Sequence, residues 1–222
     1  DLANDSALVQ LNQTAQQFAK HQWSAAPMGE HIQTNDAVAP QSIINPARHS
    51  DVVGYVQEAT TEQVEQALNN AQAVQDIWAR TAKDTRASYL LRAADLMEAR
   101  LEELMVLLCR ESGKTYANAI AEVREAVDFL RYYATQMIDL DANAEVEPLG
   151  TMLCISPWNF PLAIFTGQVA AALVAGNTVI AKPAEQTPLI AAQAIQILWQ
   201  AGVPQAAVQL MPGRGETVGA QL

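Results

Sequence analysis

The segment Pro157-Trp158-Asn159-Phe160-Pro161 places a carboxamide between two aromatic side chains and two prolines. The prolines restrict the backbone on both sides of Asn159, because each pyrrolidine ring fixes φ. A carboxamide NH2 that is held in place can donate to an oxyanion that develops during a reaction, and aromatic neighbours can exclude water. A rigid proline turn with packing aromatics would have the same residues, so both interpretations stay open at this point.

The segment Lys182-Pro183-Ala184-Glu185 contains a second pair of candidate residues. A lysine can donate to ribose hydroxyls or to phosphate, and a carboxylate can accept from ribose hydroxyls. The alternative is an ordinary solvated pair of opposite charges in a turn. These four residues alone do not decide between the two interpretations.

A glycine pattern forms the third candidate site, with Gly213, Gly215 and Gly219 in the spacing G-x-G-x-x-x-G. Glycines before a helix let the backbone approach a pyrophosphate closely. The spacing is one residue longer than the usual dinucleotide fingerprint, and Glu216 would oppose a phosphate there. An ordinary glycine-containing turn is the alternative.

Each candidate site follows a short apolar run that is typical of a buried strand. These runs cover residues 150–156, 178–182 and 208–211, and predicted helices over 162–174 and 188–202 separate them. Strands that alternate with helices predict an α/β fold with parallel strands and right-handed crossovers. Ligands bind at the carboxyl ends of such strands, so we expect the three candidate sites to share one edge of the sheet.

The region before these strands has a different pattern. Apolar residues at helical spacing predict one amphipathic helix over residues 1–30, ending near Pro27-Met28-Gly29. Turn signals such as Asn35-Asp36 then frame two short predicted strands, at Ile43-Ile44 and over 52–56. This region is therefore expected to position the sheet rather than to carry chemistry.

Three long helices are predicted next, over about 60–78, 84–108 and 117–137. Thr60 and Gln63 form a capping-box pattern at the start of the first helix. Gly113 stands where a C-terminal cap of the second helix is expected. Their regular apolar stripes indicate scaffold helices.

Composition excludes several classes of protein. The chain has 222 residues, with 13 Lys and Arg against 24 Asp and Glu and a net charge of −11. Nucleic-acid binding needs basic residues and is not expected, and an anionic membrane surface would repel the chain. The longest apolar stretch, over 161–176, is too short to span a bilayer.

The cysteines and histidines of the chain give no sign of a thiol nucleophile or of a metal site. Two cysteines suit a reducing, cytoplasmic compartment, and Cys109 and Cys154 both lie in apolar surroundings where a thiol is usually inert. His21, His31 and His49 are predicted on separate elements, so no metal site is predicted. Neither cysteine is a good candidate for a nucleophile.

Taken together, the three turns resemble those of the aldehyde dehydrogenase superfamily, which carries PWNFP, K-P-(A/S)-E and G-x-G-x-x-x-G in this order. The resemblance covers about residues 32–222 and implies the N-terminal part of that fold, with long helices before a parallel Rossmann-like sheet. Residues 1–31 would then be a linker or packing helix from a preceding domain. Residues 32–149 would hold the strands and long helices, and 150–222 the start of the parallel βαβ sheet.

The resemblance also implies a chemistry, with NAD as the cofactor and a small aldehyde as the substrate. Members of the superfamily use a cysteine thiolate to attack the aldehyde and a glutamate base to activate water. Asn159 would hold the oxyanion, while Phe160 and Glu125 would line the aldehyde pocket. The cofactor groove would be formed by Ile155, Ser156, Pro157, Trp158, Lys182, Glu185, Gly213, Gly215 and Gly219.

Within the superfamily, the chain is most similar to the L-glutamate γ-semialdehyde (pyrroline-5-carboxylate) dehydrogenase part of bacterial bifunctional proline-catabolic enzymes. Those enzymes carry FAD in a separate proline dehydrogenase domain, and the resemblance further implies homo-oligomers and, for some relatives, peripheral association with the inner membrane. Because the chain begins without methionine and ends in a predicted helix, we expect a piece of a longer protein.

The family nucleophile and base are expected after Leu222, so the piece alone is predicted to be inactive. One alternative is part of another aldehyde dehydrogenase, for example one acting on succinate semialdehyde. The other is a truncated, non-catalytic interaction module.

Overall fold

The computed structural model describes residues 4–35, 37–141 and 146–222, and the structural statements below concern these residues. Two three-stranded sheets and a set of helices form the fold, with the strands in the order β1-β3-β2 and β4-β5-β6. The first sheet consists of β1 (Trp23–Ala25), β2 (Gln41–Asn45) and β3 (Arg48–Val56). The second consists of β4 (Met152–Ile155), β5 (Val179–Lys182) and β6 (Val208–Leu210).

The prediction of one helix over residues 1–30 is wrong beyond its first half. Helix α1 covers Asp5–Gln17, with the Asn4 side chain accepting from two backbone N–H groups at its start. The chain then forms β1, which pairs in parallel with β3. Aromatic contacts draw the chain back after the helix, since the rings of Phe18 and Trp23 stack at 5.7 Å. Residues 1–3 lie outside the described part.

The two strands predicted before the long helices are confirmed as the hairpin β2–β3. The strands pair antiparallel, with register irregularities after Ile43 and Ile44. Gly54 on β3 allows the close approach of β1, because a Cβ at this position would collide with the carbonyl of Trp23. The predicted turn at Asn35-Asp36 includes residue 36, which lies outside the described residues.

The predicted helix over 60–78 is confirmed as α2 (Thr61–Arg80), and its capping box is present. The Gln63 N–H donates to the Thr60 hydroxyl, and the Thr60 N–H donates to the Gln63 side chain. The third prediction is confirmed as α5 (Tyr116–Asp139). The capping box visible in the sequence therefore marks where α2 begins.

The predicted single helix over 84–108 is in fact two helices, α3 (Lys83–Ala99) and α4 (Leu101–Ser112). The chain leaves helical geometry at Arg100, whose guanidinium bonds to Glu103 and, across the core, to Gln193. The apolar stripe continues through this break, so periodicity alone did not indicate it. Gly113 takes the left-handed conformation as predicted, with φ of 70°.

The second sheet is parallel, as predicted, and its strands are joined by α6 (Ala163–Val174) and α7 (Pro188–Gln200). A short helix, α8 (Val218–Gln221), follows β6. Strand β4 is only partly buried, because Leu153 and Ile155 on this edge strand are exposed. The expectation of a fully buried first strand is therefore wrong.

The second sheet separates two apolar cores, because successive side chains of a strand point to opposite faces. Val179 and Ala181 of β5 belong to the larger core, which includes residues of α3 to α7. Ile180 belongs to the smaller core, together with Val64 of α2 and Val218 of α8. The carboxyl ends of the strands are left between these two layers.

A buried ion pair ties the N-terminal part to this body. The Arg110 guanidinium donates to both carboxylate oxygens of Asp51 and to the backbone carbonyls of Phe18 and His21. It also lies 5.3 Å from the ring centre of Trp23. Hydrogen bonding to Arg110 lowers the pKa of Asp51 to about 2, although burial acts in the opposite direction.

We predict that Asp51→Asn lowers the free energy of unfolding by about 3–5 kcal/mol at pH 6, because it leaves the buried guanidinium without its counter-charge. The pKa of Asp51 is lower in the folded state than its usual value of about 4, so the stabilisation is present above pH 4. It is lost as the pH falls towards 2. Urea unfolding at pH 6 and pH 3 checks this.

The matched control is Asp76→Asn, which removes the exposed pair between Asp76 and Arg80, 3.9 Å apart, and should cost at most about 1 kcal/mol. The difference between the wild type and Asp51→Asn should shrink at pH 3. An equal difference at both pH values would contradict this account of the ion pair.

Candidate functional site

The three turns singled out in the sequence leave the same edge of the parallel sheet. In the strand register, Ile155 lies beside Lys182, and Ala181 lies beside Leu210. The pairing extends one step further, because the Ser156 N–H donates to the carbonyl of Lys182. The prediction that the turns share one edge is therefore confirmed.

The turn 157–161 presents its central side chains to solvent. Trp158, Asn159 and Phe160 are exposed, whereas Pro161 is buried where the chain enters α6. The Lys114 ammonium donates to the backbone carbonyl of Asn159 at 2.8 Å. The turn is thus tied down through its backbone while the Asn159 carboxamide faces outward.

Glu122 holds the other end of this turn. Its Oε1 atom accepts from the N–H groups of Leu162 and Ala163, at 2.8 and 3.3 Å, and its Oε2 atom lies 2.7 Å from the ammonium nitrogen of Lys114. Free N–H groups at a helix start favour a negative charge. A buried carboxylate on α5 therefore fixes the start of α6.

Glu111 does the same for α7, and it is almost fully buried. Its two carboxylate oxygens accept from the N–H groups of Leu189 and Ile190, at 2.6 and 2.9 Å. Thr187 holds the N-cap position of α7, but its side chain makes no capping hydrogen bond. Burial raises the pKa of Glu111 to about 8, while the two N–H groups oppose that rise.

Lys182 and Glu185 lie close together at the end of β5. Lys182 is buried, and its ammonium donates to the carbonyl of Pro183 at 3.2 Å. Burial lowers the pKa of Lys182, and the nearby carboxylates of Glu185 and Glu58 act in the opposite direction. A lysine donor and a carboxylate acceptor therefore stand together at the sheet edge.

In the turn after β6, each of the three glycines has a different structural role. Gly213 has a φ of 155°, and a Cβ there would collide with Val218. A Cβ at Gly219 would lie 3.3 Å from Cε of Lys182, so this glycine makes room for the lysine. A Cβ at Gly215 would meet open space, which leaves its backbone accessible.

Two cavities adjoin this edge, with volumes of about 530 and 350 Å³. Both are lined by Ser42 and Ile43 of β2 and by Gln186, so they form one groove beneath the hairpin. Trp158 lines the larger cavity, and Glu185 and Gly213 line the smaller one. No sequence pattern indicated that β2 would form a wall of this groove.

The remaining predicted site residues lie at varied positions. Ile155 is exposed and Ser156 buried at the end of β4. Glu125 is exposed on α5, one turn after Glu122, and it lines neither of these two cavities. The roles proposed for them stay predictions.

Three functional side chains were missed: Glu111, Lys114 and Glu122. A signal was present for the two glutamates, because each occupies an apolar position of its helix. Glu111 continues the spacing of Leu104 and Leu108, and such a buried charge requires a partner.

Neither thiol is suited to nucleophilic attack. Burial raises the pKa of both Cys109 and Cys154 to about 11, so both are protonated at neutral pH. In residues 4–35, 37–141 and 146–222, no group of three or more His, Cys, Asp or Glu side chains could hold a metal ion. Over the same residues, no helix has the length and apolarity required to cross a membrane.

The sequence matches the family model described as "Aldehyde dehydrogenase family" over residues 32–222. The chain therefore belongs to the aldehyde dehydrogenase family, and the resemblance based on the three turns is confirmed. The fold is correspondingly the N-terminal part of the aldehyde dehydrogenase fold.

Several relatives match over nearly the whole of this chain. "Bifunctional protein PutA" of Escherichia coli (strain K12) is 59% identical over 222 residues, which cover 100% of this chain and 17% of that protein. "1-pyrroline-5-carboxylate dehydrogenase" of Anoxybacillus flavithermus is 38% identical over 229 residues, covering 98% of this chain and 44% of that protein.

A similar solved structure is 1-pyrroline-5-carboxylate dehydrogenase from Thermus with bound NAD, which has a TM-score of 0.92 and 34% identity. That match covers 99% of this chain and 45% of the other. The chain thus spans less than half the length of each of these relatives.

We predict that Glu111→Gln lowers the free energy of unfolding by about 1–3 kcal/mol at pH 6, because one N–H group of α7 loses its acceptor. The pKa of Glu111 is higher in the folded than in the unfolded state, so the stability that its protonation contributes is lost as the pH rises through about 8. The difference from wild type should therefore be smaller at pH 9. Chemical denaturation at pH 6 and pH 9 measures it.

Glu103→Gln on the same helix serves as the control, because that carboxylate only pairs with Arg100 in a partly exposed position and should contribute about 0–1 kcal/mol. If Glu111→Gln were as stable as the control at pH 6, the capping role of Glu111 would be wrong.

Proposed function

We propose that this chain is part of an NAD-dependent L-glutamate γ-semialdehyde dehydrogenase, which oxidises the aldehyde to glutamate in proline catabolism. The observation that carries the proposal is the convergence of the turns after β4, β5 and β6 at one sheet edge, with the Asn159 side chain exposed there. The similarity to PutA and to 1-pyrroline-5-carboxylate dehydrogenases supports the substrate class.

The residues at this edge fit the ribose of a dinucleotide. Lys182 offers an ammonium donor, Glu185 offers a carboxylate acceptor beside it, and Gly215 leaves the neighbouring backbone open. Glu58, Arg214 and Glu216 also line the smaller cavity, and Arg214 lies 3.5 Å from Glu58, so acidic side chains outnumber basic ones in that part of the groove. When bound, NAD would supply the hydride acceptor.

Asn159 is proposed to stabilise the oxyanion that forms when a thiolate adds to the aldehyde carbon. Its carboxamide makes no hydrogen bond to another of the described residues, so the NH2 group is available to a substrate. The flanking rings of Trp158 and Phe160 would limit access of water to that oxygen. Glu125, exposed on α5, is proposed to line the substrate pocket.

The thiolate itself is proposed to come from a part of the enzyme outside these 222 residues. The two thiols of this chain are held protonated by burial, and the relatives are more than twice as long. The 222-residue chain alone should then produce no NADH from glutamate semialdehyde and NAD. A steady rate of NADH formation by the purified chain would overturn this part of the proposal.

Further features follow from the family resemblance. We propose a cytoplasmic location, self-association into homo-oligomers, and FAD only in a separate proline dehydrogenase domain. Peripheral membrane association would likewise belong to a longer protein. The unpaired cysteines support a reducing compartment.

The cofactor proposal predicts that Lys182→Ala weakens NAD binding roughly 10- to 100-fold, because a hydrogen bond from a charged donor contributes about 1.5–3 kcal/mol. Calorimetric titration of NAD into the dehydrogenase that contains this segment measures the effect. Lys20→Ala, an exposed lysine far along the chain from this edge, should leave the affinity unchanged. Equal affinities for the two variants would argue against the proposed groove.

The catalytic proposal predicts that Asn159→Ala lowers kcat by about 10²–10³-fold, the usual effect of losing one oxyanion donor. The dissociation constant of NAD should stay near its wild-type value. Steady-state rates and NAD titrations on the same dehydrogenase measure both quantities. The exposed Asn69 on α2 provides the control Asn69→Ala, and a similar kcat for both variants would refute the oxyanion role.

A further inference from the structure

We propose that Lys114 and Glu122 are positioning residues for Asn159, which hold the backbone of the turn 157–161 so that the carboxamide keeps its place for the substrate oxygen. This inference rests on the proposed function of Asn159 as an oxyanion donor. Neither residue touches the carboxamide itself. Both act through the backbone, Lys114 at the carbonyl of Asn159 and Glu122 at the N–H groups that follow the turn.

The two residues form one unit in which each has a separate task. Glu122 is only 1% exposed, and a carboxylate at such a site requires a counter-charge. The Lys114 ammonium, 2.7 Å away, provides it. Glu122 thereby holds the Lys114 ammonium within reach of the turn, and Lys114 balances the charge of the carboxylate at the start of α6.

The contacts of this unit lie at the carbonyl of Asn159 and at the residues that follow it. Before α6, Lys114 bonds to the carbonyl of Asn159 and lies 4.8 Å from the ring centre of Phe160. At the start of α6, Glu122 accepts from the N–H groups of Leu162 and Ala163. The peptide bonds that follow Asn159 are therefore fixed at several successive points.

Fixing these points matters because the carboxamide is exposed and bonds to no other described side chain. Its position is determined only by the backbone from which it projects. A displacement of about 1 Å at a catalytic group can cost up to about 10²-fold in rate. If the turn were flexible, much of the rate enhancement from the oxyanion donor would therefore be lost, even with Asn159 present.

The location of Lys114 explains how the fold places it. Gly113 ends α4 in the left-handed conformation, and Thr115 caps α5 by accepting from the N–H of Asn118. Lys114 is the single residue between these two caps. Its backbone is thus fixed by the junction of two helices, and only its side chain reaches the turn.

The test is a double-mutant cycle with Lys114→Met and Asn159→Ala in the dehydrogenase that contains this segment. In the wild-type background, Lys114→Met should lower kcat at least about tenfold and leave the dissociation constant of NAD unchanged. In the Asn159→Ala background, the same change should lower kcat by less than about twofold, because the positioned group is already absent. Lys114→Arg should restore part of the rate.

Two measurements separate this role from general support of the fold. Lys83→Met is the matched control, since Lys83 also donates to backbone carbonyls, those of Ile138 and Leu140 at the far end of α5. It should leave kcat within about twofold of wild type. Thermal unfolding of every variant shows which of them are folded at the assay temperature. If Lys114→Met is not folded at that temperature, Lys114→Arg replaces it in the double-mutant cycle.

The positioning role would be overturned if Lys114→Met lowered kcat by the same factor in the wild-type and Asn159→Ala backgrounds. If Lys114→Met is unfolded, the same comparison is made with Lys114→Arg. Either result would leave the function of Asn159 intact. A wild-type kcat for Asn159→Ala would overturn the proposed function and this inference with it. The two failures are therefore distinguishable in a single set of rate measurements.

Discussion

Two buried carboxylates, each on one helix and each accepting the first N–H groups of another, fix the geometry of the candidate site. Glu122 on α5 holds the start of α6, and Glu111 on α4 holds the start of α7. These helix starts are the points where two of the three turns end. The position of the sheet edge relative to the scaffold helices therefore depends on this pair of caps.

The chemistry proposed for the sheet edge depends on side chains that do not take part in these caps. Because Lys114 and Glu122 hold the turn 157–161 through its backbone, the exposed Asn159 side chain does not have to stabilise the turn. Asn159 can point to solvent, and Lys182 can stand beside Glu185 in the space that Gly219 leaves. Rigid turns that present unpaired polar groups are what a binding site for a dinucleotide and an aldehyde requires.

The sequence predicted most of the elements because their signals are local. The capping box at Thr60 and the glycine at position 113 mark helix ends, and three strand–turn units placed the candidate residues at one edge. The break at Arg100 and the strand at Trp23–Ala25 were missed, since both depend on partners distant in the chain, Gln193 and Gly54. The same is true of Glu111, Lys114 and Glu122, whose backbone partners at the sheet edge lie 40 or more residues away.

We propose that the edge formed by β4, β5 and β6 holds the adenosine side of NAD. A crystal structure of the dehydrogenase containing this segment, determined with NAD bound, tests it most directly. We expect ribose hydroxyls of NAD within about 3.2 Å of Lys182 Nζ and of a Glu185 carboxylate oxygen. A cofactor bound elsewhere, with both side chains in contact with solvent or protein alone, would contradict it.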